Sequence, residues 1–300
     1  MKETFIEHYS IKSKSPDFLN ILMDKDIEVF ICPFLIENSK LENEFSMKVY
    51  NRLVSFLTIL NKEYVKPNNK NLGISFLSQL HEPNEIHFGY SSSNKGKAVA
   101  KEKATIIFEA LRNNRFAKQG LHTTNEAHNV LLLVKGIGQD IMSDIILNVC
   151  RDLFSEFTTK QVIKHKITDT KTFSCEFYNS ISEKWEETNF TLPVYEDKKI
   201  ILIPQKIVSG KRAYSTRYNW FVASNHIAVE LMNKKVKSKK DDKFFKTLKD
   251  GAKKIIVKKI YETYKKPKEE LIQFVLNYPG SLDEFVLYAK ENYPEIDLNL

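Results

Sequence analysis

The sequence predicts an α/β or α+β fold, with a mixed sheet flanked by helices and then a basic helical C-terminal region. Three observations carry this expectation. Short β-type apolar runs alternate with helical periodicity from residue 27 to residue 208. The pattern then becomes helical to the end of the chain. The positive charge is gathered in that last part. Composition shifts near residue 225, dividing the chain into a 1–225 α/β domain and a 226–300 basic helical domain. With 300 residues, 42% of them hydrophobic and 28% charged, the chain can bury a substantial core. The same figures exclude a disordered tail protein, a collagen-like repeat and a small disulfide scaffold.

Residues 27–36 form a dense β-type run, bent or ended at Pro33. In residues 41–60 the spacing of Phe45, Val49, Leu53, Phe56, Leu57 and Leu60 is helical. Residues 66–71 read as a loop and 74–80 as helix or strand. Residues 85–90 alternate like a strand, 91–97 make a polar turn and 98–111 a helix. A helix over 126–134 is broken by Gly136-Ile137-Gly138 and followed by an amphipathic helix over 139–157. Strands are expected over 173–178, 184–191 and 198–208, the last at an edge or bent at Pro204. Helices close the chain near 242–264, 268–277 and 281–291, punctuated by Pro267 and Pro279-Gly280.

The net charge of +8 is not spread evenly. Residues 234–268 hold 15 lysines and no arginine against four acids, a net +11. Lysine binds phosphate as a point charge with little sequence preference. Lys234, Lys235, Lys237, Lys239, Lys240, Lys253, Lys254, Lys258 and Lys259 are therefore candidate contacts to a nucleic-acid backbone. A solvated lysine face is the alternative. Phe244, Phe245, Tyr261 and Tyr264 offer stacking surfaces, although their spacing equally suits a helical core face. Three widely spaced cysteines without a CxxC pair point to a reducing compartment, the cytoplasm. No apolar stretch approaches the ~20 residues of a membrane span, and the N-terminus lacks a signal-peptide pattern.

Asp140-x-x-x-Asp144-x-x-x-Asn148 places two carboxylates and a carboxamide on one helix face. Hard oxygen donors of this kind suit Mg²⁺ or Mn²⁺. A solvated acidic face is the competing reading. Gly136-Ile137-Gly138 before a helix also resembles a helix-hairpin-helix turn that holds phosphate on backbone amides. Lys95 and Lys97, between a strand and a helix, are candidate anion contacts, or part of an ordinary exposed loop. Glu196 and Lys198, two apart before an apolar run, have the spacing of the PD-(D/E)xK nucleases. There the carboxylate holds the metal and the lysine steadies charge at the phosphate. Lys206 is an alternative lysine, and a charged hairpin turn is the plainer reading. On the nuclease reading Asp140, Asp144 and Glu196 hold the metal, and Asp144, Glu196, Lys198 and Lys206 are catalytic.

Residues 27–36, Glu82-Pro83-Asn84-Glu85 with Gly89-Tyr90-Ser91, the 136–144 segment, and Leu192-Pro193 with Leu202-Ile203-Pro204 together resemble a loosely characterised bacterial family. Its members occur among phage-defence and restriction genes. The resemblance covers roughly residues 20–210. It implies an antiviral-defence role of nuclease-like kind; a scaffold that works with a partner enzyme from the same operon is a separate expectation. The rival expectation is a non-catalytic nucleic-acid-binding or sensor subunit.

Overall fold

The structure, a computed structural model, describes residues 3–13, 15–89, 100–114, 122–233 and 242–293. It is α+β. Among the described residues the strands form three small antiparallel sheets instead of one mixed sheet: β1 (Val29–Ile31) with β5 (Val208–Gly210), β2 (Thr170–Asn179) with β3 (Lys184–Tyr195) and β4 (Lys198–Lys199), and β6 (Phe245–Thr247) with β7 (Lys253–Ile255). The chain divides into two compact units, 1–212 with 289–300, and 213–288. The helix Tyr214–Val222 thus falls in the second unit, ahead of the composition shift at residue 225.

In the first unit, the apolar run from residue 27 stays extended only to Ile31. Pro33 then occupies the first turn of the helix Pro33–Ser39, where its missing N–H costs nothing. The helix Glu44–Ile59 begins at Asn43, whose side chain accepts from Ser46 N. The expected 139–157 helix is two, Gln139–Val149 and Arg151–His165, hinged at Cys150. Met142, Ile145, Ile146, Leu147 and Phe154 join Val49, Leu53 and Phe56 in the buried core. Against this lies the hairpin β2–β3, paired over ten residues from Thr170↔Pro193 to Asn179↔Lys184.

The expected 198–208 strand survives only at its two ends. Between them, the buried Ile200–Ile203 stretch hands its backbone to unlike partners. Ile200 N donates to Pro193 O (3.0 Å), Ile201 N to Glu85 O (2.9 Å) and Leu202 N to Thr158 Oγ1 (2.9 Å). These three buried donors are satisfied without a ladder. The expected 85–90 strand is replaced by a 3₁₀ turn at Asn84–Ile86 and a left-handed His87, leaving one bridge, Ile27↔Phe88.

The second unit packs Tyr218, Phe221, Phe244, Ile260, Leu271, Phe274 and Phe285 as its core. The Asn219 side chain clamps the backbone of Lys266 from both sides, donating to its O (2.9 Å) and accepting from its N (2.7 Å). The helix expected over 242–264 is realised only at Val257–Tyr264. Before it stands the hairpin β6–β7, because Asp250-Gly251 favours a turn and Ile255-Ile256-Val257 is a β-branched run. Gly251 sits at φ +83°, a conformation costly to any residue with a Cβ.

Candidate functional site

Of the Asp140–Asp144–Asn148 row, Asp140 is half-buried and the other two are buried. Asp144 and Asn148 are 6% and 0% exposed, so the solvated-face reading is overturned. Lys103, on the helix Ala100–Asn113, forms an ion pair with Asp144 and a second with Glu82 at 3.1 Å. Burial pushes the Asp144 carboxyl up to about 7 against the pull of the ammonium. Burial also raises Asp26 to about 6, with Glu82 and Asp140 adding repulsion, and it raises Asp140. Burial lowers Lys103, but Asp144 and Glu82 outweigh it and hold the ammonium above its usual range. Asn148 donates to the backbone of His81 and Asp144, while its Oδ1 accepts from Arg151. Arg151 Nε lies 2.9 Å from Glu85, and Arg52 grips Asp152 with two bonds of 3.1 Å. Asp144 and Asn148 are thus internal, held by a cation and by hydrogen bonds, whereas Asp140 at the start of the helix is half-buried.

Glu196 and Lys198 lie elsewhere, at the mouth of a cavity of about 470 Å³ that they share with Asp24, Glu85, His87 and Tyr195. The cavity is built by the β3–β4 turn and the 84–87 turn, joined through the Ile201 N to Glu85 O bond. Pairing of Tyr195 with Lys198 leaves Glu196-Asp197 as a two-residue hairpin turn, with φ +47° and +60°. Such turns favour Asn-Gly, so a glutamate and an aspartate here carry strain. His87, at φ +55°, is a third strained residue on the same wall. It is 6% exposed with Nδ1 unpartnered, and burial, with help from Lys198, holds it below the usual histidine range. Strain of this kind persists where the surroundings enforce it, and it gathers at functional sites.

Asp140 and Asp144 do not line this cavity. Lys206 is exposed on the 3₁₀ turn Gln205–Ile207, where its charge acts on Glu42. The structure therefore brings Glu196 and Lys198 to one place and Asp140 and Asp144 to another. Among the described residues, no group of three or more His, Cys, Asp or Glu side chains is arranged to hold a metal ion. A divalent ion at Asp144 has to displace the Lys103 ammonium first. Lys95, Lys97, Lys234, Lys235, Lys237, Lys239 and Lys240 lie outside the described residues.

The remaining lysines sit on the β6–β7 ribbon and the helix after it. Strand pairing sets Phe245 opposite Ile255, Lys246 opposite Lys254 and Thr247 opposite Lys253. One face of the ribbon thus carries the half-buried Phe245–Ile255 pair, and the other carries two lysines side by side. Like charges directly opposite destabilise a ladder. Lys253 is matched by Asp242 at 2.9 Å. Lys249 in the turn and Lys258 and Lys259 on the helix are also exposed, continuing the cationic surface.

Sequence reading missed Lys103, His87 and Arg151. Lys103 had a signal: it occupies the helical stripe of Ile107 and Leu111, where a lysine needs a buried acid. Left-handed His87 had none, since its conformation depends on contacts distant in the chain.

No helix among the described residues is long and apolar enough to cross a membrane. A family profile described as a domain of unknown function (DUF8370) matches residues 10–215. No curated protein and no solved structure matches the chain.

Proposed function

The chain belongs to the DUF8370 family, and we propose that it acts on nucleic acid, gripping the phosphate backbone with the ribbon β6–β7 and the helix Val257–Tyr264. This cationic element lies beyond the matched residues. The observation that carries the reading is the Lys246–Lys254 cross-strand pair, a repulsion that an anion laid along the ribbon relieves. Point-charge contacts of this type hold the backbone and leave the bases unread. Fluorescence anisotropy with labelled nucleic acid across a salt series tests it. Affinity is expected to fall linearly with salt on logarithmic axes, and Lys246→Gln with Lys254→Gln to reduce the slope by about two. No binding at low salt, or an unchanged slope, overturns it.

A metal-dependent nuclease in phage defence is the second reading. It is supported by the convergence of Glu196, Lys198, Glu85, Asp24 and His87 on one strained cavity, and the defence setting by the resemblance of residues 20–210. Incubation with plasmid and RNA plus Mn²⁺ is expected to give degradation that Glu196→Gln abolishes. Equal degradation by the variant removes Glu196 from the reading. Co-purification of a protein encoded in the same operon would support a scaffold role beside a partner enzyme.

A further inference from the structure

We propose that the second unit binds single-stranded nucleic acid in preference to duplex, an inference that rests on the backbone-binding reading above. Two large aromatic side chains stand out of its surface: Trp220 is 41% and Tyr264 40% exposed. Neither is isolated. The Trp220 ring lies 5.3 Å from that of Tyr261, and Lys265 Nζ sits 5.9 Å from the Tyr261 centroid. The Tyr264 ring lies 5.8 Å from that of Phe244, which carries Lys243 Nζ at 4.8 Å on the way into β6. Each exposed ring is thus packed against a second aromatic residue, and that second ring carries a lysine. A ring held in place loses little freedom when a base lies on it, and the adjoining ammonium reaches the phosphate of the same nucleotide.

Phe244 and Ile260, 1% and 0% exposed, already close the core beneath these rings. The outward faces of Trp220 and Tyr264 are therefore not needed to complete it. Hydrophobic occupants are disfavoured by the surrounding cations, whereas an unpaired strand satisfies both features at once. Duplex bases are stacked on each other and closed to side chains, but every base of a single strand offers an open face.

The full chain is titrated with labelled oligothymidylate of about twenty nucleotides, and with a duplex of equal length, at matched salt. The single strand is expected to bind about tenfold more tightly. Trp220→Leu and Tyr264→Leu are each expected to weaken single-strand binding about tenfold and to leave duplex affinity unchanged. The chain has two tryptophans. In a Trp185→Phe background, quenching of the remaining indole by oligothymidylate reports stacking on Trp220 directly. Equal affinity for the two forms, equal losses for both in the leucine variants, or no quenching overturns the inference and leaves backbone binding intact. Absence of binding to either form overturns both.

Discussion

The two units treat charge in opposite ways. In the first, ionisable groups are buried and matched: Lys103 with Asp144, Arg151 with Glu85, Arg52 with Asp152. In the second, cations are exposed and set against each other, with Lys246 facing Lys254 across a two-stranded ribbon. The first arrangement costs desolvation, recovers it by pairing, and is a device of the fold. The second contributes nothing to the fold and leaves a field for an anion to fill. An acidic or basic row along a sequence is therefore uninformative until its partners are known.

The largest effect is expected at Lys103. Lys103→Met leaves Asp144 and Glu82 without their shared cation, and loss of one partner of a buried pair costs about 3 kcal/mol. Urea denaturation of the full chain, followed by a probe of the first unit, measures it. Adding Asp144→Asn to Lys103→Met is expected to restore most of the loss, because an amide carries no charge to strand. A small loss in the single variant would mean that the pair is hydrated and that the contrast between units is overstated.

The same pair sets a pH dependence of smaller size. The folded Asp144 carboxyl holds its proton up to about pH 7, whereas an unfolded aspartate releases it near 4. Between those values the folded state binds more protons. Stability is then full below about pH 4, declines as pH rises, and levels above 7. His128 has the opposite sign. Burial depresses it to about 3, so stability grows as pH rises from there to the normal histidine range. Only the difference between profiles isolates the aspartate. Wild type minus Asp144→Asn is expected to decline from pH 4 to 7; a flat difference means Lys103 keeps the carboxylate ionised throughout.

How much of this was legible follows the same division. Helices with an unbroken apolar stripe, such as Glu44–Ile59, and the alternating hairpin β2–β3 were readable, because their periodicity reports burial directly. The burial of Asp144 and Asn148 was not legible because the helix is buried throughout Met142–Val149, so even these polar side chains meet protein. Their distant partners are Lys103 and the His81 backbone, which no local pattern links to them. The Glu196-Asp197 turn was readable as a charged hairpin, but its strained cavity depends on the 84–87 turn far away. In the second unit the lysines themselves hid the ribbon: at 243, 246, 249, 253 and 254 they fit a helix surface as readily as a strand, and Gly251 was the local cue to the turn.

The smallest effect tests the ribbon's charge most sharply. Lys254→Thr removes the repulsion with Lys246 and inserts a β-branched residue suited to the strand. At low salt it is expected to stabilise the second unit by about 0.5 kcal/mol, seen as a rise in its thermal midpoint. The β-propensity part of that gain is independent of salt, but the relief of repulsion is not. In molar salt, where the screening length shrinks to about 3 Å, the gain is expected to contract to the propensity part alone. Nucleic-acid affinity is expected to move the other way, weakening most at low salt. A variant that is more stable yet binds less well would show that the two lysines face each other for a ligand's sake. A variant with the same midpoint at every salt concentration would show that they splay apart, and that the pairing holds no field in reserve.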